Sequence, residues 1–450
     1  MITAPERLIF TALGAVSIFF HIGLTFSGLV PNLVARPLHV MLALPWIFLF
    51  RAGSRSTLMS GAILCVAGEL ACIYVVLNEV QLSDQYGSLE GNGQLFLAIT
   101  LLAVVLEMAR RAIGWPLPMV ALVAIVYGLF GQYLPGEFGY PGMPIESFLG
   151  TLTIAEGGIW GSLTGISVNI VAVFVIMGAV LNAGEAGQGF MNLASAAAGH
   201  LRGGAAKVSV LSSAFFGSIS GSASANVAST GAITLPAMRR LGYPPALAGA
   251  VEAVASSGGQ ILPPLMGAGA FVMVELTGIP YTEIILAALF PAILYFVAVW
   301  IGIDAFANRY DLAGLAPDDR PTTRDVVVTV LFFAVPFAVL LERMFLGGFT
   351  PQYAASVAIL ISFVMLLIDA RFTLSVTRTR SRIDAVCVNA GKQISMIAAI
   401  IVCASIVIGV LGQTGLGVKI TSLILSVSGD MLWPALLLTA IACLILGMEV

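Results

Sequence analysis

Residues 214–264 read AFFGSISGSASANVASTGAITLPAMRRLGYPPALAGAVEAVASSGGQILPP, and twice within this stretch an apolar chain gives way to small polar residues. At membrane depth a backbone must satisfy its own hydrogen bonds, so runs of Gly, Ser and Pro inside apolar spans persist only where protein or a wet cavity surrounds them. The first break, Gly217 to Asn226, combines small residues that permit a tight reversal with the hydroxyls of Ser218, Ser220, Ser222 and Ser224, which are hard oxygen ligands. The second, Ser256 to Pro264, interrupts the next span. A half-helix ending there would expose carbonyls towards a cation, and one starting after Pro263 and Pro264 would aim its N-terminus at an anion. The pair therefore points to a sodium ion and a carboxylate substrate. Gly, Ala and Ser at close spacing are also how ordinary transmembrane helices pack without a ligand.

The rest of the chain fits that setting. Of 450 residues 59% are hydrophobic and 10% charged, and the mean hydropathy is +1.02, the composition of a polytopic all-α membrane protein. A net charge of -3 carries no argument for a charged partner, and nucleic acid is excluded. Cys65, Cys72, Cys387, Cys403 and Cys443 lie in or beside apolar stretches with no CxxC and no histidine cluster, so they read as small hydrophobes. No P-loop is present, which leaves ATP-driven transport unsupported.

With about 20 residues per crossing, candidate spans fall near 8–30, 38–50, 58–77, 94–109, 117–134, 165–183, 245–277 (interrupted), 283–305, 325–344, 351–369 and 392–412, about eleven in all. Arg7, Arg51, Arg55 and Arg110–Arg111 fall in alternate loops, so the positive-inside rule predicts a cytoplasmic N-terminus, with Arg36 the one misfit. Residues 135–161 begin as a turn-rich linker and continue as an amphipathic stretch suited to the bilayer surface, which places a domain boundary near 144. Residues 208–238 have a positive loop on each side: His200, Arg202 and Lys207 before, Arg239 and Arg240 after. A segment so flanked does not cross, so it reads as a re-entrant hairpin with its tip at Ser218 to Ser222. Glu252, close to the second break, is a candidate to bind or relay a cation, or else a helix-entry carboxylate near Arg239 and Arg240.

Sliding the chain against itself by 230 positions aligns 178–199 with 408–429, where Val180, Leu181, Gly187, Leu193 and Gly199 meet identical residues. The two copies leave their spans in opposite directions relative to the arginine-rich loops, the mark of an inverted-topology repeat. Gly217 also falls on Gly447, so a second hairpin is expected to turn there, yet the sequence ends at Val450 and that hairpin is missing from it.

The segments HLRGGAAKVSV, FGSISGSASANVASTGAITLPAMRRLGYPP, AGAVEAVASSGGQILPPLMGAGAFVM and IPYTEIILAALFPAILYF resemble the large membrane subunit of tripartite ATP-independent periplasmic (TRAP) transporters, in the form fused to the small membrane subunit. The resemblance covers 145–450, with a first repeat at about 145–305 and an incomplete second at about 325–450; residues 1–144 look like the small-subunit region with a connecting span. It implies an elevator-type importer of organic acids at the bacterial inner membrane, driven by sodium and using no other cofactor. Substrate would come from a periplasmic solute-binding protein of the TAXI type. The implied sodium ligands are Ser218, Ser220, Gly221, Ser222, Asn226, Ser256, Ser257, Gly258 and Gly259, in agreement with the two breaks. A substrate carboxylate is expected between them, against Ser224, Glu252, Gln260, Pro263 and Pro264. Two rivals remain: a sodium-coupled inverted-repeat carrier that works without a binding protein, and an intramembrane serine hydrolase built on Ser220–Gly221. The second lacks a base, since His21, His39 and His200 do not sit mid-span after Ser220.

Overall fold

The computed structural model describes residues 4–50, 53–264, 266–429 and 431–447, and among them the secondary structure is helical apart from a single bridge between Ile368 and Leu374. Among the described residues, seven helices are long and apolar enough to cross a bilayer, from Glu6–Phe26 to Val376–Thr414, and four shorter apolar helices accompany them. The expected polytopic all-α class is observed. Cys65, Cys72, Cys387 and Cys403 are free and buried, as small hydrophobes are; the side chain of Cys443 lies outside the described residues.

Contacts divide the chain into two compact units. One comprises Met1–Phe10, Ser27–Val168 and Gly391–Val450. Its core gathers Leu44, Val75, Leu101, Met108, Phe148, Leu152, Trp160 and Val402. Here the sequence reading of 135–161 is corrected: Phe148, Leu152, Ile154, Ile159 and Trp160 are buried in protein rather than laid on a bilayer surface. The amphipathic pattern is real, but the apolar face of Ile145–Thr153 finds a protein core to cover it. Arg36 is also explained. It sits inside the Asn32–Phe48 helix, not in a loop, and its guanidinium binds the Trp160 carbonyl and Glu156. An arginine spent on a buried contact does not report which side of the membrane a loop occupies.

The other unit comprises Thr11–Phe26 and Asn169–Ala390, and both breaks lie in it. Gly203, at φ +67, starts the helix Gly204–Ser220 earlier than the charge pattern suggests. Lys207 consequently belongs to the helix and not to a loop. It is 4% exposed, pairs with Asp304 at 2.5 Å and lies 5.0 Å from the Trp300 ring centroid.

The alignment at an offset of 230 has a structural counterpart. The helices Ala186–Ala198 and Leu416–Ser428 are both 13 residues long and begin and end at matching positions, each after a short break in a long apolar run. Leu432–Gly447 follows the second copy. Residues 448–450, on which the expectation of a second hairpin turn depends, lie outside the described residues.

Candidate functional site

The first break is the tip of a helical hairpin whose arms are Gly204–Ser220, 17 residues, and Ala223–Arg240, 18 residues, each about 25 Å long. Gly221 turns the chain at φ +59, the left-handed conformation that glycine adopts without strain. Ser222 then caps the second arm, its Oγ accepting from the Ala225 N–H at 3.3 Å. The expected hairpin and the place of its tip are observed.

The second break is equally local in origin. The helix Pro245–Gly258 passes into a short 3-10 turn, Gly259–Ile261, and a new helix starts at Ala268. The intervening loop carries a cis Pro263–Pro264 bond and is closed by the Gly267 N–H on the Gln260 carbonyl at 2.8 Å. Tyr281 holds it from outside: its hydroxyl donates to the Pro264 carbonyl at 2.7 Å, and its ring stacks on Phe271, which stacks on Phe174.

These two breaks meet. Gly217 and Gly259 touch backbone to backbone, and a β-carbon at either would overlap the other's Cα. A β-carbon at Gly221 would lie 2.6 Å from the Met266 carbonyl oxygen. Asn226 ties the junction, donating from Nδ2 to the Ser213 carbonyl at 2.8 Å and the Ser256 carbonyl at 3.4 Å while fully buried.

The expected site residues divide accordingly. Ser218, Asn226, Ser256, Gly258 and Gly259 are buried at or near the junction, and Ser220, Gly221 and Ser222 form its half-buried tip. Pro263 and Pro264 belong to the loop that closes against it. The side chains of Ser224, Ser257 and Gln260 are exposed. Ser257 returns its proton to its own helix at the Ala253 carbonyl, 2.9 Å, and Ser218 does the same at Phe215, 2.8 Å.

Glu252 is placed differently from a helix-entry carboxylate near Arg239 and Arg240. It is 1% exposed and surrounded by hydroxyls. Ser209 Oγ donates to Oε2 at 2.7 Å and Thr234 Oγ1 to the same oxygen at 2.5 Å, while Thr230 Oγ1 donates to Oε1. Ser256 Oγ approaches Oε1 at 3.5 Å. Sequence reasoning missed Ser209, Ser213, Thr230 and Thr234, although a signal was present. Each of the three helices carries a polar pair at i and i+4, Ser209 with Ser213, Thr230 with Thr234 and Glu252 with Ser256, and such a pair projects from one face.

A cavity of about 540 Å³ lies beside the second arm, its wall combining apolar residues such as Val208 and Ile233 with Asn192, Thr234, Arg240, Arg320 and Asp325.

Comparison with known proteins gives this arrangement a family. At 28% identity the chain is similar to the uncharacterized protein y4mL of Sinorhizobium fredii, over 61% of this chain and 59% of that one. At 29% it is similar to the C4-dicarboxylate TRAP transporter large permease protein DctM of Pseudomonas aeruginosa, over 45% and 47%. At 35% it is similar to the isethionate TRAP transporter permease protein DctMQ of Oleidesulfovibrio alaskensis, over 29% and 24%. The chain spans about half to three fifths of the length of the first two. The profile of the family described as "Tripartite ATP-independent periplasmic transporter, DctM component" matches residues 99–450, well over half of the chain and both breaks, and the chain belongs to that family of membrane transport components.

Proposed function

We propose that the chain is the permease of a sodium-coupled secondary transporter that imports organic acids across the bacterial inner membrane, with its N-terminus in the cytoplasm. The observation that carries this reading is the meeting of the two breaks, with Gly217 on Gly259 and Asn226 on the Ser256 carbonyl. Sodium held by the tip residues Ser218 to Ser222 with Asn226, and by Ser256 to Gly259, would fix the hairpin against the broken helix. The exposed Ser224 and Gln260, with the Pro263–Pro264 loop, would then face a substrate carboxylate. Coupling follows because an ion that orders both breaks favours the substrate-ready form.

Residues 1–144 serve in this reading as a small-subunit-like region. Residues 145–450 are the transport region, two repeats of inverted topology that move as an elevator, and the matching bounds of Ala186–Ala198 and Leu416–Ser428 support the duplication. Substrate is delivered by a periplasmic solute-binding protein of the TAXI type.

The test is uptake of radiolabelled organic acids into proteoliposomes holding the complete transporter, with and without its binding protein and with sodium or potassium outside. Ser220→Ala combined with Ser257→Ala should weaken the sodium dependence. An unchanged sodium dependence in that variant rejects the ligand assignment. Uptake that persists without the binding protein points to a carrier working alone.

A further inference from the structure

Glu252 is a buried carboxylate that no ion pair reaches among the described residues. Its surroundings are neutral hydroxyls from both hairpin arms and its own helix: Ser209, Thr230, Thr234 and Ser256. Gly231 leaves the room that the group occupies, since a β-carbon there would come within 3.2 Å of Glu252 Cγ. A charge held in this way is incompletely compensated, because hydroxyl dipoles replace water but supply no opposite charge.

Two further observations indicate what completes it. The first concerns the protons. Thr230 Oγ1 has a second acceptor in the Asn226 carbonyl at 2.9 Å, and Thr234 Oγ1 has one in the Thr230 carbonyl at 3.0 Å. Each threonine can therefore turn its O–H onto its own helix and present lone pairs towards the carboxylate. The same oxygens that now donate to Glu252 then become ligands beside it, forming an all-oxygen set with one negative charge, which suits a hard cation.

The second concerns access. Thr234 also stands in the wall of the 540 Å³ cavity, so one side chain separates that space from Glu252. The wall carries Asp318, Asp319 and Asp325 against Arg240 and Arg320. Arg320 is turned to the Leu315 carbonyl, at 3.1 Å from Nε and 2.7 Å from Nη2. Glu185, also in the wall, is matched by Arg382. The cavity thus favours an entering cation over an anionic substrate.

We infer that Glu252, with the hydroxyls of Ser209, Thr230 and Thr234, is a sodium site separate from the hairpin tip and reached through the cavity beside Thr234. The inference rests on the sodium-coupled reading above, and its test is arranged to fail separately from it.

The experiment is equilibrium binding of radioactive sodium to the purified chain in detergent, competed with unlabelled sodium or potassium. Ser220→Ala with Ser257→Ala provides a background in which two of the proposed tip ligands are removed. Saturable sodium binding should remain there and weaken roughly tenfold or more when Glu252→Gln is added, since the ligand charge is lost. Glu252→Asp should weaken it less. Equal binding with and without Glu252→Gln overturns the site, as does the absence of saturable binding in the tip-deficient background, an outcome that leaves the tip assignment intact. Should Glu252→Gln fail to fold, Thr234→Val removes one ligand at nearly constant volume and must raise the half-saturating sodium concentration several-fold, with Thr234→Ser unchanged. Identical values for all three chains reject the proposal. A bulky maleimide on Asn192→Cys, in the cavity wall, should slow sodium exchange without changing its equilibrium; unaltered exchange rejects the cavity as the route.

Discussion

Gly217 in the first hairpin arm and Gly259 at the break of the following helix are in backbone contact, and neither has room for a β-carbon. That contact brings the turn at Gly221 to the loop at Met266, and it is backbone that opposes backbone, so no rotamer change can relieve an added atom.

Gly217→Ala should therefore destabilise the unit by about 1–3 kcal/mol through overpacking. Gly249→Ala is the control, because a β-carbon there meets nothing within 4 Å, and alanine in a helix interior is neutral or stabilising by up to ~1 kcal/mol. Thermal unfolding of the purified variants should separate the two. A Gly217→Ala chain as stable as the parent would mean that the junction is looser than described.

Asn226 donates to both sides of the junction, at the Ser213 and Ser256 carbonyls. Asn226→Ala leaves buried carbonyls short of a partner and should cost about 1–3 kcal/mol. Asn226→Asp should be at least as damaging, since an ionised carboxylate has no proton to donate to either carbonyl. The measurement is denaturation in detergent, with hydrogen exchange of the Ser222–Thr230 amides to locate the loss. Protection unchanged in Asn226→Ala would show that Asn226 does not hold the tip.

Lys207 and Asp304 form an asymmetric pair, with side chains 5% and 45% exposed. Removing the carboxylate strands the buried ammonium, so Asp304→Asn should cost about 1–2 kcal/mol, a range discounted because water reaches Asp304. Lys207→Met removes the buried charge, keeps the stem packed and should cost less. The reverse order in thermal unfolding would count against this account.

The loop after Pro351–Met365 has its own pH dependence. Asp369 accepts from the Thr373 N–H at 2.8 Å, the Thr373 hydroxyl at 2.8 Å, the Arg371 N–H at 2.9 Å and Arg378 at 2.7 Å. These contacts, with the Thr373 backbone bond the largest, hold its carboxyl down at about 2. A depressed value means that the loop's stabilisation is complete above the ordinary carboxylate range and fades as pH falls from about 4 through about 2. Hydrogen exchange at Arg371 and Thr373, corrected for intrinsic rates, should accelerate over that window and lose its pH dependence in Asp369→Asn. Flat protection across the window would contradict the assignment.

Much of this was legible in the residues because membrane depth leaves few options. The small polar run Gly217 to Asn226 spells a tight reversal, and Ser256 to Pro264 spells an interruption. Both are read correctly without tertiary information. The errors arose where a residue's meaning depends on what packs against it. Lys207 and Arg36 count as loop charges only until Asp304 and the Trp160 carbonyl are seen beside them. The amphipathic face of Ile145–Thr153 fits a bilayer and a protein core equally well.

Hydropathy and the two polar breaks by themselves determined that the chain is helical, spans a membrane and turns back between Ser218 and Ser222, since those follow from backbone hydrogen bonding in a medium without water. Only the tertiary structure decided that Gly217 meets Gly259 and that Glu252 faces Ser209, Thr230 and Thr234. Such contacts depend on helices distant in the chain presenting particular faces to one another, and each helix face is specified by its own period without reference to the partner it meets.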